Sequence, residues 1–453
     1  MRRLLTLLAC LALLSGCSQI LVPDVASRNA SEAACSDGSS EANRVKCSVL
    51  REQMQTREFD AVLAEGESDM LWPYRMAFIE FDDHGRRFDR GVTGQPTQLQ
   101  RALNEIAAAK ADGAALNKRP IVAVFVHGWK NNASEESGNV WGFRQLLAGL
   151  SHQFASNVGS GPWRAPVVGI YLGWRGSITN LPVIEQFTFW DRQAESQTLP
   201  RGDDVVPTVE QIMQAAKGTD FTDKNTVSLL IGHSFGGAVL EGAVTPTLTK
   251  QIMAVPVGAE LDRRPADLIV FVNEAQEAMR SFDLVELMSE HLKPQDHCSP
   301  VIGPDGKERF ENPMILSISS TGDYATRIAF PFGQIIGGLF ARRETYPQPN
   351  ALGVTDELGT FFNTTAHRGE FQSHVVEIGT ATPTTNGERS CQNVLEGDSI
   401  DGISYVVSAK PDSKNHTPYW VTHMPPHIVP DHSTIFTPVF RDFLITFLYK
   451  ALQ

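Results

Sequence analysis

The stretch LLIGHSFGG, residues 229–237, decides how the 453-residue chain is read. Within it, Gly232-His233-Ser234-Phe235-Gly236 fits the pattern G-x-S-x-G. An apolar run, VSLLIG (227–232), leads into it, and a helical stretch, GAVLEGAV, follows. Strand, sharp turn, helix is the context that turns this short pattern into a nucleophile elbow. At such a bend a serine is forced into a strained backbone conformation, and its hydroxyl stands above the sheet. Gly232 and Gly236 remove side chains that would collide across so tight a turn. The following helix begins with amides that favour developing negative charge.

Working outward, similar apolar runs flank the motif: IVAVFV (121–126), VVGIYL (167–172), LIVFVN (268–273) and MILSIS (314–319). Continuous β-branched runs suit strands covered on both faces, as in a parallel sheet. The longer stretches between them have room for helices, Gln98–Ala111 among them, and this alternation predicts a doubly wound α/β sheet. YRMAFIEF (74–81), followed by Asp83-His84-Gly85, predicts an antiparallel hairpin. YWVTHM (419–424) reads as the last strand, and a helical pattern from about Thr434 to Lys450 closes the chain. Two connections are long: 174–226, with Trp174, Phe187, Phe189 and Trp190, and 324–402, with FPFGQIIGGLF and a Thr- and Gly-rich tract. Each is a possible cap insertion over a site.

Hydrophobic residues make up 42% of the chain and charged residues 20%, enough for a large core and incompatible with a mainly disordered chain. The formal net charge is −13. A surface that acidic repels phosphate backbones and argues against nucleic acid as a partner.

Around the elbow the chain resembles the α/β-hydrolase superfamily of serine esterases and lipases, over roughly residues 74–453. The resemblance implies an α/β-hydrolase fold, a mostly parallel sheet with helices on both faces and long insertions. It also implies a catalytic order of serine, acid, histidine. Ser234 is then the nucleophile. His127-Gly128-Trp129-Lys130, directly after IVAVFV, matches the start of an oxyanion loop. The amide of Trp129, or of its neighbour Lys130, would act with that of Phe235, and His127 would brace the loop. Asp323 follows MILSIS, where the family often places its acid. Glu274, directly after LIVFVN, is the alternative acid. His432, in Pro430-Asp431-His432-Ser433-Thr434 ahead of the final helix, is the favoured base, and His427 is the alternative. His423 lies inside a strand, and His374 and His416 read as surface residues. A metal site from His423, His427, His432 and Asp431 is disfavoured because Pro425, Pro426 and Pro430 keep one helix from presenting them. No metal and no cofactor is implied. The expected activity is hydrolysis of a small-molecule or lipid ester through an acyl-enzyme. A catalytically inactive hydrolase-fold module that binds or scaffolds in the envelope is the alternative.

The first 17 residues, MRRLLTLLACLALLSGC, read as an address. Arg2 and Arg3 precede an apolar run too short to span a bilayer as a mature helix. Leu14-Ser15-Gly16-Cys17 resembles a bacterial lipobox, which implies a lipid anchor on Cys17. Ser18 after the cysteine points to the outer membrane by resemblance to Gram-negative sorting. Residues 18–69 read as a tether and a helical segment near Ala42–Ala64, and 70–453 as the hydrolase domain. Cys35, Cys47, Cys298 and Cys391 suggest disulfides, with Cys35–Cys47 and Cys298–Cys391 the favoured pairing in an exported chain.

Overall fold

The computed structural model describes residues 72–90, 96–134, 137–156, 166–176, 189–297, 311–331, 363–379 and 404–452, with the short pieces 56–59, 94, 301–302, 308–309, 352 and 394–398. All belong to one compact unit, Arg51–Gln453. The lipobox, all six cysteines and most of 18–69 lie outside the described residues.

In chain order the strands and helices are β1 (Thr56–Phe59), β2 (Trp72–Glu80), α1 (Gln98–Leu116), β3 (Ile121–Val126), α2 (Gly138–Ser156), β4 (Val167–Gly173), α3 (Phe189–Thr198), α4 (Val205–Lys217), β5 (Val227–His233), α5 (Phe235–Met253), β6 (Leu268–Val272), α6 (Ala278–His291), β7 (Val301–Ile302), β8 (Glu308–Arg309), β9 (Ile315–Ser320), β10 (His374–Ile378), β11 (Val394–Asp398), β12 (Ser404–Ala409), β13 (Tyr419–Met424) and α7 (Pro438–Ala451). Eleven described strands form one sheet in the order β1-β2-β4-β3-β5-β6-β9-β13-β10-β12-β11. From β2 to β10 every neighbouring pair is parallel. β1 pairs antiparallel with β2, β12 with β10, and β11 with β12.

Strands β3, β4, β5, β6 and β9 are buried along their whole length, as their apolar runs require. Alternate residues serve opposite faces. Val122, Val124 and Val126 share one core with Leu99 and Ile106 of α1, Val209 and Ile212 of α4, and Leu240 of α5. On the other face Phe125 and Tyr171 meet Phe143 of α2, and Phe125 also meets Phe436 ahead of α7. Each buried Val, Leu or Phe contributes about 1.5–3 kcal/mol, so both helical layers are held firmly to the sheet. Helix ends are fixed locally. Thr97 accepts from Gln100 N at 3.1 Å to start α1, and Thr437 accepts from Phe440 N at 3.0 Å to start α7, with Pro438 at its first turn.

Several expectations need correction. Where a helix was expected across 42–64, the described residues 56–59 are a strand; the backbone groups on the edge of β2 offer pairing that overrides local preference. The hairpin after β2 is present only as a short antiparallel return. Asp82 accepts from the amides of His84 and Arg86, closing the turn, and the antiparallel bridge Phe81–Arg87 follows, with Phe88 N donating to Glu80 O at 3.2 Å. There the return stops, and Arg87 N also donates to Asp204 of another segment. The described parts of the two long connections include helices and strands of the main layers. Helices α3 and α4 pack on α5, and β10, β11 and β12 widen the sheet. No described helix is long and apolar enough to cross a membrane.

Candidate active site

Ser234 sits between β5 and α5 at φ 56° and ψ −126°, a combination that L-residues reach only under strain. The bend is locked from both sides. Ser234 N donates to Val272 O at 3.0 Å, and its carbonyl accepts from Gly237 N at 3.0 Å and Ala275 N at 3.2 Å. A Cβ at position 232 would lie 2.7 Å from the Gly237 Cα, and one at 236 would lie 2.3 Å from the carbonyl oxygens of Val126 and His127. The glycines of the motif are therefore required by close approach.

The nucleophile candidate meets its partners from the far end of the chain. Ser234 Oγ lies 2.7 Å from His432 Nε2, and His432 Nδ1 lies 2.9 Å from Asp323 Oδ2. Asp323 follows β9 and is fully buried. Burial alone would raise its pKa, but hydrogen bonds and charge from His432, with bonds from Thr326, outweigh it and hold the carboxyl below its ordinary range. Oδ1 accepts from Ala325 N at 2.9 Å and Thr326 N at 3.1 Å, and Oδ2 from Thr326 Oγ1 at 2.6 Å. A carboxylate has no proton to give. Nδ1 of His432 therefore donates to it, leaving Nε2 to accept the Ser234 hydroxyl hydrogen.

Two residues that sequence reasoning missed hold the His432 loop in place. Asn273, at φ 47° directly after β6, donates through Nδ2 to the carbonyls of Asp431 at 3.0 Å and His432 at 3.2 Å, while its Oδ1 accepts from Ser320 N at 2.8 Å. His233 Nε2 donates to the His432 carbonyl at 2.7 Å. Burial first, then the nearness of His432, pulls the His233 pKa down to about 3, so its ring stays neutral. Asn tolerates left-handed backbone better than most residues, and an Asn ending an apolar strand was the available signal.

Across the serine, the loop after β3 comes close. A Cβ at Gly128 would lie 2.6 Å from Ser234 Cβ and 2.9 Å from His233 O. His127 is buried and braces this loop, with Nδ1 donating to Gly128 O at 2.9 Å and Nε2 accepting from Trp174 N at 3.1 Å. The two rings stack, with centroids 5.8 Å apart, and burial brings the His127 pKa down to about 4. Lys130 N donates to Gly176 O at 2.9 Å. That amide is committed to the loop; Trp129, the residue expected to supply an oxyanion amide, directly precedes it. Phe235, the first residue of α5, stands on the other.

The alternatives sit elsewhere. Glu274 is buried, makes no hydrogen bond to His432, and has no partner for either oxygen. His427 is exposed and outside the hydrogen-bonded chain. His423 faces Gln372 Nε2 at 3.2 Å, so the three late histidines do not converge on one point. His374, read as a surface residue, is 2% exposed and stacks on Trp420.

A mostly parallel sheet with helices on both faces and a serine elbow between β5 and α5 is the α/β-hydrolase fold. No protein-family model and no curated protein matches the chain. Among solved structures it is similar to Trichoderma reesei cutinase in complex with a phosphonate inhibitor, at 13% identity over 39% of this chain and 65% of that one, with a TM-score of 0.18. It is also similar to phospholipase PlaB from Legionella pneumophila in complex with thio-NAD, at 12% identity over 65% of this chain and 50% of that one, TM-score 0.22. A second structure of the same phospholipase gives 13%, 65%, 51% and 0.22. The chain thus spans less than two thirds of either protein. The fold assignment rests on sheet topology and the elbow, independently of these likenesses.

Proposed function

We propose that the protein is a serine hydrolase that cleaves carboxylic esters through an acyl-enzyme. The observation that carries this reading is the hydrogen-bonded chain Ser234–His432–Asp323, at 2.7 Å and 2.9 Å, on a strained elbow. In the first half-reaction His432 Nε2 takes the Ser234 proton as Oγ attacks the ester carbonyl. Asp323 fixes the imidazole and balances the imidazolium. The amides of Phe235 and Trp129 receive the oxyanion; losing one such donor removes about 2.7–4 kcal/mol of barrier lowering. His432 then protonates the leaving alcohol, and water, deprotonated by the same ring, releases the acid. Tyr324 and Ile328, 69% and 57% exposed just after Asp323, favour an apolar, lipid-like ester. The leader supports an envelope location, with Cys17 lipidated and the protein held at the outer membrane.

The test is hydrolysis of p-nitrophenyl esters of graded acyl length. Ser234→Ala and His432→Ala should fall by roughly 10⁴-fold or more, and Asp323→Asn by about 10³–10⁴-fold. Glu274→Gln should stay within a few fold of wild type. Full activity in Ser234→Ala would end the proposal, and loss confined to Glu274→Gln would move the acid. For the anchor, labelled palmitate should enter wild type but not Cys17→Ser; equal labelling of both would remove Cys17 as its site.

A further inference from the structure

We propose that His297, Glu311 and His374 form a binding site for one divalent transition-metal ion of the zinc class, at the end of the sheet opposite Ser234. Ser234, Asp323 and His432 all follow the carboxyl ends of parallel strands. His297 and Glu311 lie between α6 and the start of β9, and His374 opens β10. These are the amino ends, so the two sites do not share residues.

Each of the three residues offers a ligand atom, and the three atoms lie within 4.8 Å of one another. Ligand atoms about 2.0–2.2 Å from a tetrahedral zinc sit roughly 3.3–3.6 Å apart, so the cluster closes with small side-chain shifts. All three residues are buried, at 3%, 4% and 2% exposure for His297, Glu311 and His374. Within this closed space His374 Nε2 has no hydrogen-bond partner. A buried ring nitrogen left without one is unusual and needs an explanation.

The remaining ring atoms are held as in a ligand sphere. His297 Nε2 donates to the Asn415 carbonyl at 2.9 Å, and His374 Nδ1 is bonded to Ser373 Oγ at 2.9 Å. Orienting bonds of this kind fix which nitrogen of each imidazole faces the metal. They leave His297 Nδ1, already 2.7 Å from Glu311 Oε2, and His374 Nε2. In the metal-free site one hydrogen is shared between Nδ1 and Glu311 Oε2, and the ion takes that hydrogen's place, releasing it to solvent. Two imidazoles and one carboxylate suit zinc, cobalt or nickel, and disfavour magnesium and calcium, which take oxygen donors. Trp420 of β13 stacks on His374 with centroids 3.6 Å apart and closes the site. An ion here would staple β10 and the segment leading into β9 to one point, tying the widened edge of the sheet to its centre.

The test is titration of chelator-treated, dialysed full-length protein with Co²⁺, read by visible absorption, followed by Zn²⁺ displacement and a metal count by mass spectrometry. The expected result is one equivalent, a four- or five-coordinate cobalt spectrum abolished by Zn²⁺, and a melting temperature a few degrees higher with Zn²⁺ than with chelator. His374→Ala and Glu311→Gln should weaken binding at least tenfold, whereas His84→Ala, an exposed histidine elsewhere, should not. Absence of stoichiometric binding by wild type overturns the site without reference to any variant. So does an unchanged spectrum and stoichiometry in the isosteric Glu311→Gln protein, which would place the ion elsewhere and leave only a buried His297–Glu311 pair.

Discussion

Two carboxyl groups lie buried behind the elbow with little to neutralise them, and the pH dependence of stability should record the fact. Glu241 of α5 and Glu274 after β6 are 2% and 3% exposed. Glu241 Oε1 accepts from Ser281 Oγ at 2.8 Å; its Oε2 and both oxygens of Glu274 have no partner. Arg280 and Asp283 of α6 act on Glu241 through space, and both carboxyls act on the buried hydroxyl of Tyr419 in β13. Burial is the main cause that raises Glu241 from 4.5 to about 7, with Ser281 and Arg280 opposing it and Asp283 adding to it. Glu274 is pushed well above its ordinary value by burial and then by Glu241. Between pH 4.5 and about 7 the folded chain therefore binds more protons than the unfolded one. The stability tied to Glu241 is fully present below pH 4.5 and is lost as pH rises through about 7. The rise from 4.5 to about 7 amounts to about 3 kcal/mol over the whole window. Most of this falls between pH 5 and pH 8. Glu241→Gln keeps the shape and an acceptor for Ser281 but cannot ionise. In urea unfolding at pH 5 and pH 8, wild type should lose roughly 2–3 kcal/mol more than the variant. Parallel profiles for the two proteins would refute the reasoning.

Two further substitutions probe the site itself. Gly128→Ala brings a Cβ to 2.6 Å from Ser234 Cβ, so the loop must retreat. Ester turnover should fall about 10²-fold with little change in melting temperature, since a displacement near 1 Å is enough for that loss; turnover within threefold of wild type would show that the loop does not matter. Asn273→Asp can still accept from Ser320 N but cannot donate to the carbonyls of Asp431 and His432. It should lower kcat by roughly tenfold or more with KM nearly unchanged, while a change in KM alone would argue against a positioning role.

Much of the central sheet was legible because β3, β4, β5, β6 and β9 are buried on both faces and so read as unbroken apolar runs. The side chains of Ser234, Asp323 and His432 stood out because each follows such a run, or precedes the last helix, in an order the superfamily resemblance supplied. The edge of the sheet was not legible. In β10 the burial alternates and the run HVVEI is short, so a polar, Gly- and Thr-rich tract hid a strand that forms only against β13 and β12. The turn read at Asp83-His84-Gly85 is present, but local turn chemistry says nothing about how far the returning strand runs beside β2. Asn273 and His233 act on backbone carbonyls of a loop some 160–200 residues away, as the separations of 159 and 199 show, and no spacing encodes that. The same holds for His297, Glu311 and His374, which fall into no ligand motif because the fold alone brings them together.

The central claim is that Ser234 is a nucleophile activated by His432. Its most direct test is intact-mass spectrometry of the folded protein after exposure to a fluorophosphonate. The expected result is one adduct per chain, located on Ser234, absent from Ser234→Ala and strongly slowed in His432→Ala. Folded protein that takes up no adduct, or that takes it up equally well without His432, would contradict it.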